Sequence, residues 1–419
     1  MFMYRWDYLK AIRNEVAIDE SFYQRCGVSP SSFGYMPRPL VWLSKYKKYK
    51  NSVLFFSLLT KTFLFLGGWF FLFSIELIKS WSTFNKIDGE KLNFDCIVIA
   101  FSERTYDVIK KNKSLITEDY VWICFPWNQK PNECNYIDCY NLISKWEAVR
   151  ILFGSLFLAY YFNFIKNGTW VLQFYTMYRW MLVRHALSKL SAESYVCTEH
   201  FDRWAILLDC ALQEKNERGM SFRFMLFQHG ILKQLSEDGK NYIHHFEFDL
   251  PSKLHMVTDV YAYDLESISI FKHEIINDSV VSKVKFNSVS MGFSLAKEIF
   301  RHQHEMEMRR SILIVGHPLC FGQQLNIYNR ISGLAVVYYK PHPTTIPSDI
   351  MLNVGWEVIE DKACFPKVDF LISYPSTLVV EYKTLGIDSV VHPLNASIVD
   401  IETCIVSTLK RLGYYAPKE

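Results

Sequence analysis

Four histidines in this chain stand where an apolar run gives way to a turn: Gln228-His229-Gly230, Gly316-His317-Pro318, Lys340-Pro341-His342-Pro343 and His392-Pro393. An imidazole titrates near neutral pH, so at the end of a strand it can accept a proton from a hydroxyl or donate one to a departing oxygen. A second kind of group follows in Tyr374-Pro375-Ser376-Thr377-Leu378-Val379-Val380-Glu381. A helix opening at Ser376-Thr377 would present unpaired backbone N–H groups and the positive end of its dipole to an anion such as a phosphate. Glu381, one turn further on, adds a carboxylate that can accept from hydroxyls. Each residue also has an ordinary role. Ser and Thr are preferred helix caps, an acid in the first turns suits the dipole, and a histidine can simply turn the chain.

Two acidic clusters compete for the part of a general base. Glu237-Asp238-Gly239 lies in a polar loop several residues after His229-Gly230, where a charged turn is the usual alternative. Glu199-His200, with Asp202 close by, follows an apolar run, and there a helix N-cap is the better reading. The chain contains no Asp-x-Asp, and Glu247-Phe248-Asp249 is the nearest approach. We therefore expect no essential metal and no cofactor, with phosphate charge met by a helix dipole, histidine and Lys340.

The elements that must position these groups are legible as alternating strands and helices. β-branched and aromatic runs predict strands at residues 94–101, 120–124, 194–198, 222–227 and 254–257, then at 289–293, 311–316, 335–339, 356–359, 369–373 and 389–391. Helical patterns fall between them, at 106–113, 145–189 in pieces, 203–216 and 400–412. Such alternation argues for parallel sheets flanked by helices, whose ligands lie beyond the carboxyl ends of the strands. At 419 residues the chain exceeds one ordinary core. The expected division is an aromatic-rich, helical N-terminal extension over 1–90, a Rossmann-like domain over 91–280 and a second over 281–419.

Composition narrows the partners. The net charge of +3 is dispersed and no basic stripe occurs, so nucleic acid is excluded. The ten cysteines form no C-x-x-C pair, and several sit inside apolar runs, which suits a reducing compartment. Residues 53–78 are strongly apolar but interrupted by Lys61, and they follow the basic, aromatic run at 45–50. No cleavable leader is evident at the N-terminus. This pattern favours an interfacial helix on an anionic leaflet over a membrane span. Residues 151–180, also apolar, fit either a core helix or an interfacial one.

The chain resembles the metal-independent, two-Rossmann-domain (GT-B) glycosyltransferases of bacterial surface-polysaccharide assembly. That group holds capsule and O-antigen transferases and is related to bacterial sialyltransferases and teichoic-acid glycerophosphotransferases. The resemblance rests on Phe227-Gln228-His229-Gly230, Lys340-Pro341-His342-Pro343, and Ser376-Thr377 with Glu381 and Gly386, and it covers roughly residues 193–393. It implies an inverting transfer from a nucleotide-sugar donor to a glycan or lipid-linked glycan at the cytoplasmic face of the inner membrane. It also implies donor contacts from Gly316, His317, Lys340, His342, Pro343, Ser376, Thr377 and Glu381, the last holding a ribose. The resemblance to sialyltransferases adds Glu237-Asp238-Gly239 as the base, although in those enzymes the acidic triplet directly follows a strand, a position His229-Gly230 occupies here. Position favours His229, and CDP-polyol phosphotransfer and a non-catalytic glycan-assembly subunit remain as alternatives.

Overall fold

The computed structural model describes the chain apart from residues 1–4, 47–48, 86, 88–91, 103, 118, 129, 132–134, 166–169, 231, 233, 236–241, 244–249, 290–294, 296–308, 343–344, 346, 362–363 and 415–419. Pro343 and the Glu237-Asp238-Gly239 and Glu247-Phe248-Asp249 triplets fall outside the described residues.

Fourteen strands are seen among the described residues: β1 (Leu92–Ile99), β2 (Tyr120–Cys124), β3 (Tyr136–Asp138), β4 (Leu190–Cys197), β5 (Arg223–Phe227), β6 (Gln234–Leu235), β7 (Tyr242–Ile243), β8 (Asp259–Ala262), β9 (Lys285–Ser288), β10 (Ser311–Val315), β11 (Val336–Lys340), β12 (Glu357–Val358), β13 (Phe370–Ser373) and β14 (Asp388–Val391). They form a seven-stranded sheet in the order β3-β2-β1-β4-β5-β8-β9, a five-stranded sheet in the order β12-β11-β10-β13-β14, and a small β6-β7 pair. Both larger sheets are wholly parallel, while β6 and β7 run antiparallel. In each sheet the strand order reverses beside the first strand, at β1/β4 and at β10/β13. That reversal is where doubly wound sheets open a crevice for ligands.

The second sheet shows why its strands read as continuous apolar runs. Ile312, Ile314, Tyr339, Phe370 and Ile372 pack on one face, with Trp356 and Ile401. Leu313, Val315, Tyr338 and Leu371 pack on the other, with Tyr382. Alternate residues thus enter two cores, and neither face can be polar. The chain divides into two compact units, residues 1–24, 28–232 and 246–290 in the first, and 25–27, 233–245 and 291–419 in the second. The N-terminal helix Arg5–Arg25 is integral to the first unit.

Two expected strands are displaced. Residues 254–257 make only a bridge from Leu254 to Ile276, because Asp209 Oδ1 accepts the N–H groups of His255 and Met256 and withdraws them from any ladder. The strand is β8, whose buried Asp259 is tied to Arg223 at 2.7 Å. The strand expected at 289–293 is seen as β9, ending at Ser288, and residues 290–293 lie outside the described residues. As a half-exposed edge strand, β9 lacks the apolar signature of its neighbours.

Candidate functional site

In the second unit, the carboxyl ends of β10, β11 and β13 bring His317, His342 and Tyr374 together. The His317 ring lies 5.3 Å from that of His342 and 4.6 Å from that of Tyr374, edge-on to both. Burial, and then the neighbouring His342 and His392, push the His317 pKa down to about 3, so the ring is neutral at physiological pH. The Leu319 N–H donates to His317 Nδ1 at 3.2 Å, which leaves the ring proton on Nε2 as a donor. Helix Thr377–Thr384 starts beside this group, and no side chain caps it. Ser376 adopts the extended N-cap backbone, yet its hydroxyl pairs with the Ser373 hydroxyl at 3.2 Å. The first-turn N–H groups therefore keep their affinity for an anion. Thr377 is exposed and Glu381 half-buried on the same helix.

Three of the expected strand-end residues have structural duties. The Lys340 ammonium donates to the carbonyls of Asp361 at 3.0 Å and Cys364 at 2.8 Å and lies 4.6 Å from the centre of the Phe365 ring. It braces the loop after β12, which corrects the expectation that it neutralises phosphate. A Cβ on Gly316 would stand 2.4 Å from the Tyr339 hydroxyl and 3.0 Å from the Lys340 carbonyl. Glycine is required there by packing. His392 donates from Nδ1 to the Pro393 carbonyl at 3.0 Å and meets Gln324 Nε2 at 3.4 Å, so both ring nitrogens are engaged.

The first unit has its own histidine pair, at the ends of β4 and β5. His200 and His229 stack with ring centroids 4.4 Å apart and planes 26° apart. His229 Nδ1–H donates to the Thr198 carbonyl, an atom that can only accept, which leaves Nε2 with a bare lone pair. A half-buried imidazole in that tautomer is equipped to take a proton. His200 is buried, and burial followed by the neighbouring His229 holds it well below the ordinary range, hence neutral. Its Nε2 lies 3.2 Å from the Phe227 carbonyl and 3.3 Å from the His229 N–H, and its tautomer decides which bond forms. Asp202 caps helix Arg203–Glu217 by accepting from Trp204 and Ala205, as the cap reading required.

Sequence reasoning gave no role to the residues that fix these ends. Gln228 donates to Gly230 at 2.7 Å and Ser267 at 3.1 Å and accepts from the Tyr263 N–H at 2.8 Å, joining β5 to β8. Gln324 does the same in the other sheet, donating to Val315 at 2.8 Å. Behind Asp202 lies a buried network in which Arg203 contacts Glu15 at 3.0 Å and also reaches Thr176 and Gln173. Nothing in the sequence signals that Glu15, almost two hundred positions away, completes it. Among the described residues, no group of three or more His, Cys, Asp or Glu is arranged to hold a metal ion.

No family model and no curated protein matches the chain. Two solved structures of the wall teichoic acid polymerase TagF, soaked with CDPG for 30 and 15 minutes, align with 76% of this chain and with 77% and 78% of theirs. Identity is 10% and 9%, and the TM-score is 0.35 for both. So faint a likeness carries no functional argument.

Proposed function

We propose that this chain is a transferase of the GT-B type that moves a sugar from a nucleotide-activated donor to a surface polysaccharide or lipid-linked glycan. The second unit takes the donor and the first takes the acceptor. The observation that carries this reading is the uncapped N-terminus of helix Thr377–Thr384 beside the neutral His317 and half-buried His342, at the strand-order reversal of a parallel sheet. Those groups offer N–H donors to a phosphate, and Glu381 takes the ribose hydroxyls. In the first unit, His229 Nε2 accepts the proton of the acceptor hydroxyl as its oxygen attacks the anomeric carbon. The bond from that carbon to the phosphate oxygen breaks in the same step with inversion, and the electron pair leaves with the nucleotide. His342 donates to the departing phosphate. We propose that no metal or cofactor is needed and that the protein works at the cytoplasmic face of the inner membrane, as a peripheral or monotopic protein.

A second reading, phosphotransfer from a CDP-polyol, is favoured by the two histidine pairs, since attack at phosphorus can use one imidazole as base and another as acid. A sialyltransferase-type mechanism would instead make Asp238 the base. A thermal-shift series with CMP, CDP, UDP, GDP and dTDP compounds tests the donor site, because a ligand that binds only the native state raises its melting temperature. Stabilisation by one nucleotide supports the proposal, and its labelled sugar or glycerol conjugate then separates the two chemistries. No stabilisation by any of them would favour a non-catalytic assembly subunit.

A further inference from the structure

The run Lys50–Ser80 is long and apolar enough to cross a membrane by length and composition, yet only 22% of its apolar stretch is buried. It is built as two arms. Helix Lys50–Phe63 and helix Trp69–Ser80 meet at a π-helical turn, Leu64–Gly68, in which Gly67 has a φ of 119°. Arms of 14 and 12 residues extend ~21 and ~18 Å at 1.5 Å per residue, short of the ~30 Å hydrocarbon core.

One face of both arms is fastened to the first unit. Ser57 donates to the Gly34 carbonyl at 3.0 Å, and the Trp69 and Phe73 rings pack against Phe174 and Tyr178. The two charged residues in the middle of the run point the same way, while Lys50 and Lys79 at its ends are exposed. Lys61 lies over the Tyr35 ring at 5.9 Å, and Glu76 takes both nitrogens of an Arg179 fork at 3.1 and 2.9 Å. The outer face is apolar instead, with Phe55, Phe63, Phe71 and Ile75 exposed, Leu66 78% exposed and Ile78 72%. This inverts the usual amphipathic order, and a soluble monomer rarely shows so large an apolar patch.

A second helix continues the patch. Helix Lys145–Ile165 packs against Trp69–Ser80, and its outer stripe is Trp146, Arg150, Phe153 and Phe157, spaced at one helical face. Lys145 joins the two, with its ammonium 5.2 Å from the Trp81 ring. Charge identifies what covers the patch. Between Pro37 and Lys86 the chain carries eight basic residues and one acid, Glu76, which Arg179 already pairs. Apolar side chains rimmed by tryptophan, tyrosine and lysine match an anionic bilayer surface.

We infer that Lys50–Ser80 and Lys145–Ile165 form one composite surface that lies in the plane of an anionic leaflet, and that the long apolar run does not cross the membrane. This deepens the membrane-surface part of the proposed function and is independent of the transfer chemistry.

Flotation of the full chain tests it, with preformed phosphatidylglycerol/phosphatidylcholine vesicles and pure phosphatidylcholine vesicles, and no nucleotide present. The chain should float with the anionic vesicles and lose part of that binding at ~1 M salt, where the screening length falls to ~3 Å. Phe153→Asp with Phe157→Asp should weaken partitioning at least about tenfold, because apolar insertion of the second helix is lost. Unchanged flotation of that pair would sink the inference, since a span formed by 50–80 alone does not need the second helix. Should the pair fail to fold by circular dichroism, Lys145→Glu with Arg150→Glu alters only exposed positions. That variant must show a weaker preference for anionic vesicles than the parent, and an undiminished preference overturns the proposal. A parent chain that is folded and soluble yet never floats overturns it too. The nucleotide thermal-shift series is read without vesicles, so either reading can fail alone.

Discussion

Replacing Glu15 by alanine should destabilise the first unit, because it strands a buried charge. The Arg203 side chain is 6% exposed, and its guanidinium lies 3.0 Å from the Glu15 carboxylate. Its remaining partners, Thr176 and Gln173, are neutral. The Arg203 backbone N–H also donates to Glu15 Oε1 at 3.0 Å. Removing one member of a buried pair costs ~3–5 kcal/mol, and with Glu15 nearer the surface we expect about 3. For a unit of this size that is a drop of roughly 6–12 °C in its melting transition. Glu15→Gln keeps the shape and an acceptor oxygen and should cost only ~1–2 kcal/mol. The pH dependence has a definite sign. Burial alone would raise the Glu15 pKa, but the Arg203 charge and hydrogen bonds outweigh it and hold the carboxyl below its ordinary range. The pair's contribution is then full above the unfolded value of ~4.3 and fades as pH falls through the depressed folded value. Thermal unfolding followed by circular dichroism at pH 7 and at progressively lower pH measures both effects. A melting point for Glu15→Ala within about 1 °C of the parent would refute the claim that the N-terminal helix completes this core. A gap between parent and Glu15→Gln that persists undiminished in acid would refute the ion pair as its source.

Gly316→Ala should cost the second unit ~1–3 kcal/mol, read by denaturant unfolding, because the new methyl collides with a Tyr339 ring already stacked on Trp356 at 4.2 Å. Burial raises the Asp19 pKa to about 7, so the folded state binds the extra proton between ~4 and 7 and stability falls as pH rises through that window. Asp19→Asn should accordingly raise the melting point at pH 8, by on the order of 1–2 kcal/mol of stability, and leave it unchanged near pH 4. His229→Ala and His342→Ala should each reduce transfer by ~10²-fold or more with the fold intact in circular dichroism, whereas near-normal turnover in His229→Ala would move the base to Asp238. Transfer should survive EDTA, and a loss restored by magnesium would mean that the phosphate charge is met otherwise than proposed.

The buried strands are legible because both their faces are apolar. Ile312 to Val315 feeds two cores at once, and a run so short and β-branched reads as a buried strand rather than a helix. Residues 254–257, Leu-His-Met-Val, also read as a short strand but are captured by a carboxylate from a distant helix, a contact that no local pattern reports. β8 is hidden by its own Asp259, a charge made tolerable in a buried strand by Arg223 across the sheet. The site divides along the same line. Histidines at strand ends announce themselves by position, whereas Lys340 misleads because the carbonyls it serves, Asp361 and Cys364, follow two elements later. Tyr374 reads in sequence only as part of a turn, and its place against His317 follows from the pairing of β10 with β13.

The electrostatics of the two strand-end pairs explain why an inner imidazole accompanies each outer one. His200 and His317 are both held neutral, chiefly by burial and then by the neighbouring histidine. Two adjacent imidazoles in a poorly solvated place cannot both be charged, and burial with the neighbouring ring keeps the inner one neutral. In the first unit the outer ring is His229, whose Nδ1–H is committed to Thr198 and whose Nε2 is the acceptor. In the second unit it is His342, while His317 contributes an Nε2–H without a fixed charge. In the proposed transfer an acceptor hydroxyl loses a proton as a phosphate gains negative charge, and each change falls to an outer histidine. Helix Thr377–Thr384 supplies the standing positive potential that Lys340, turned into its loop, does not. The buried strand end of each sheet thus holds an uncharged imidazole, His200 in the first unit and His317 in the second.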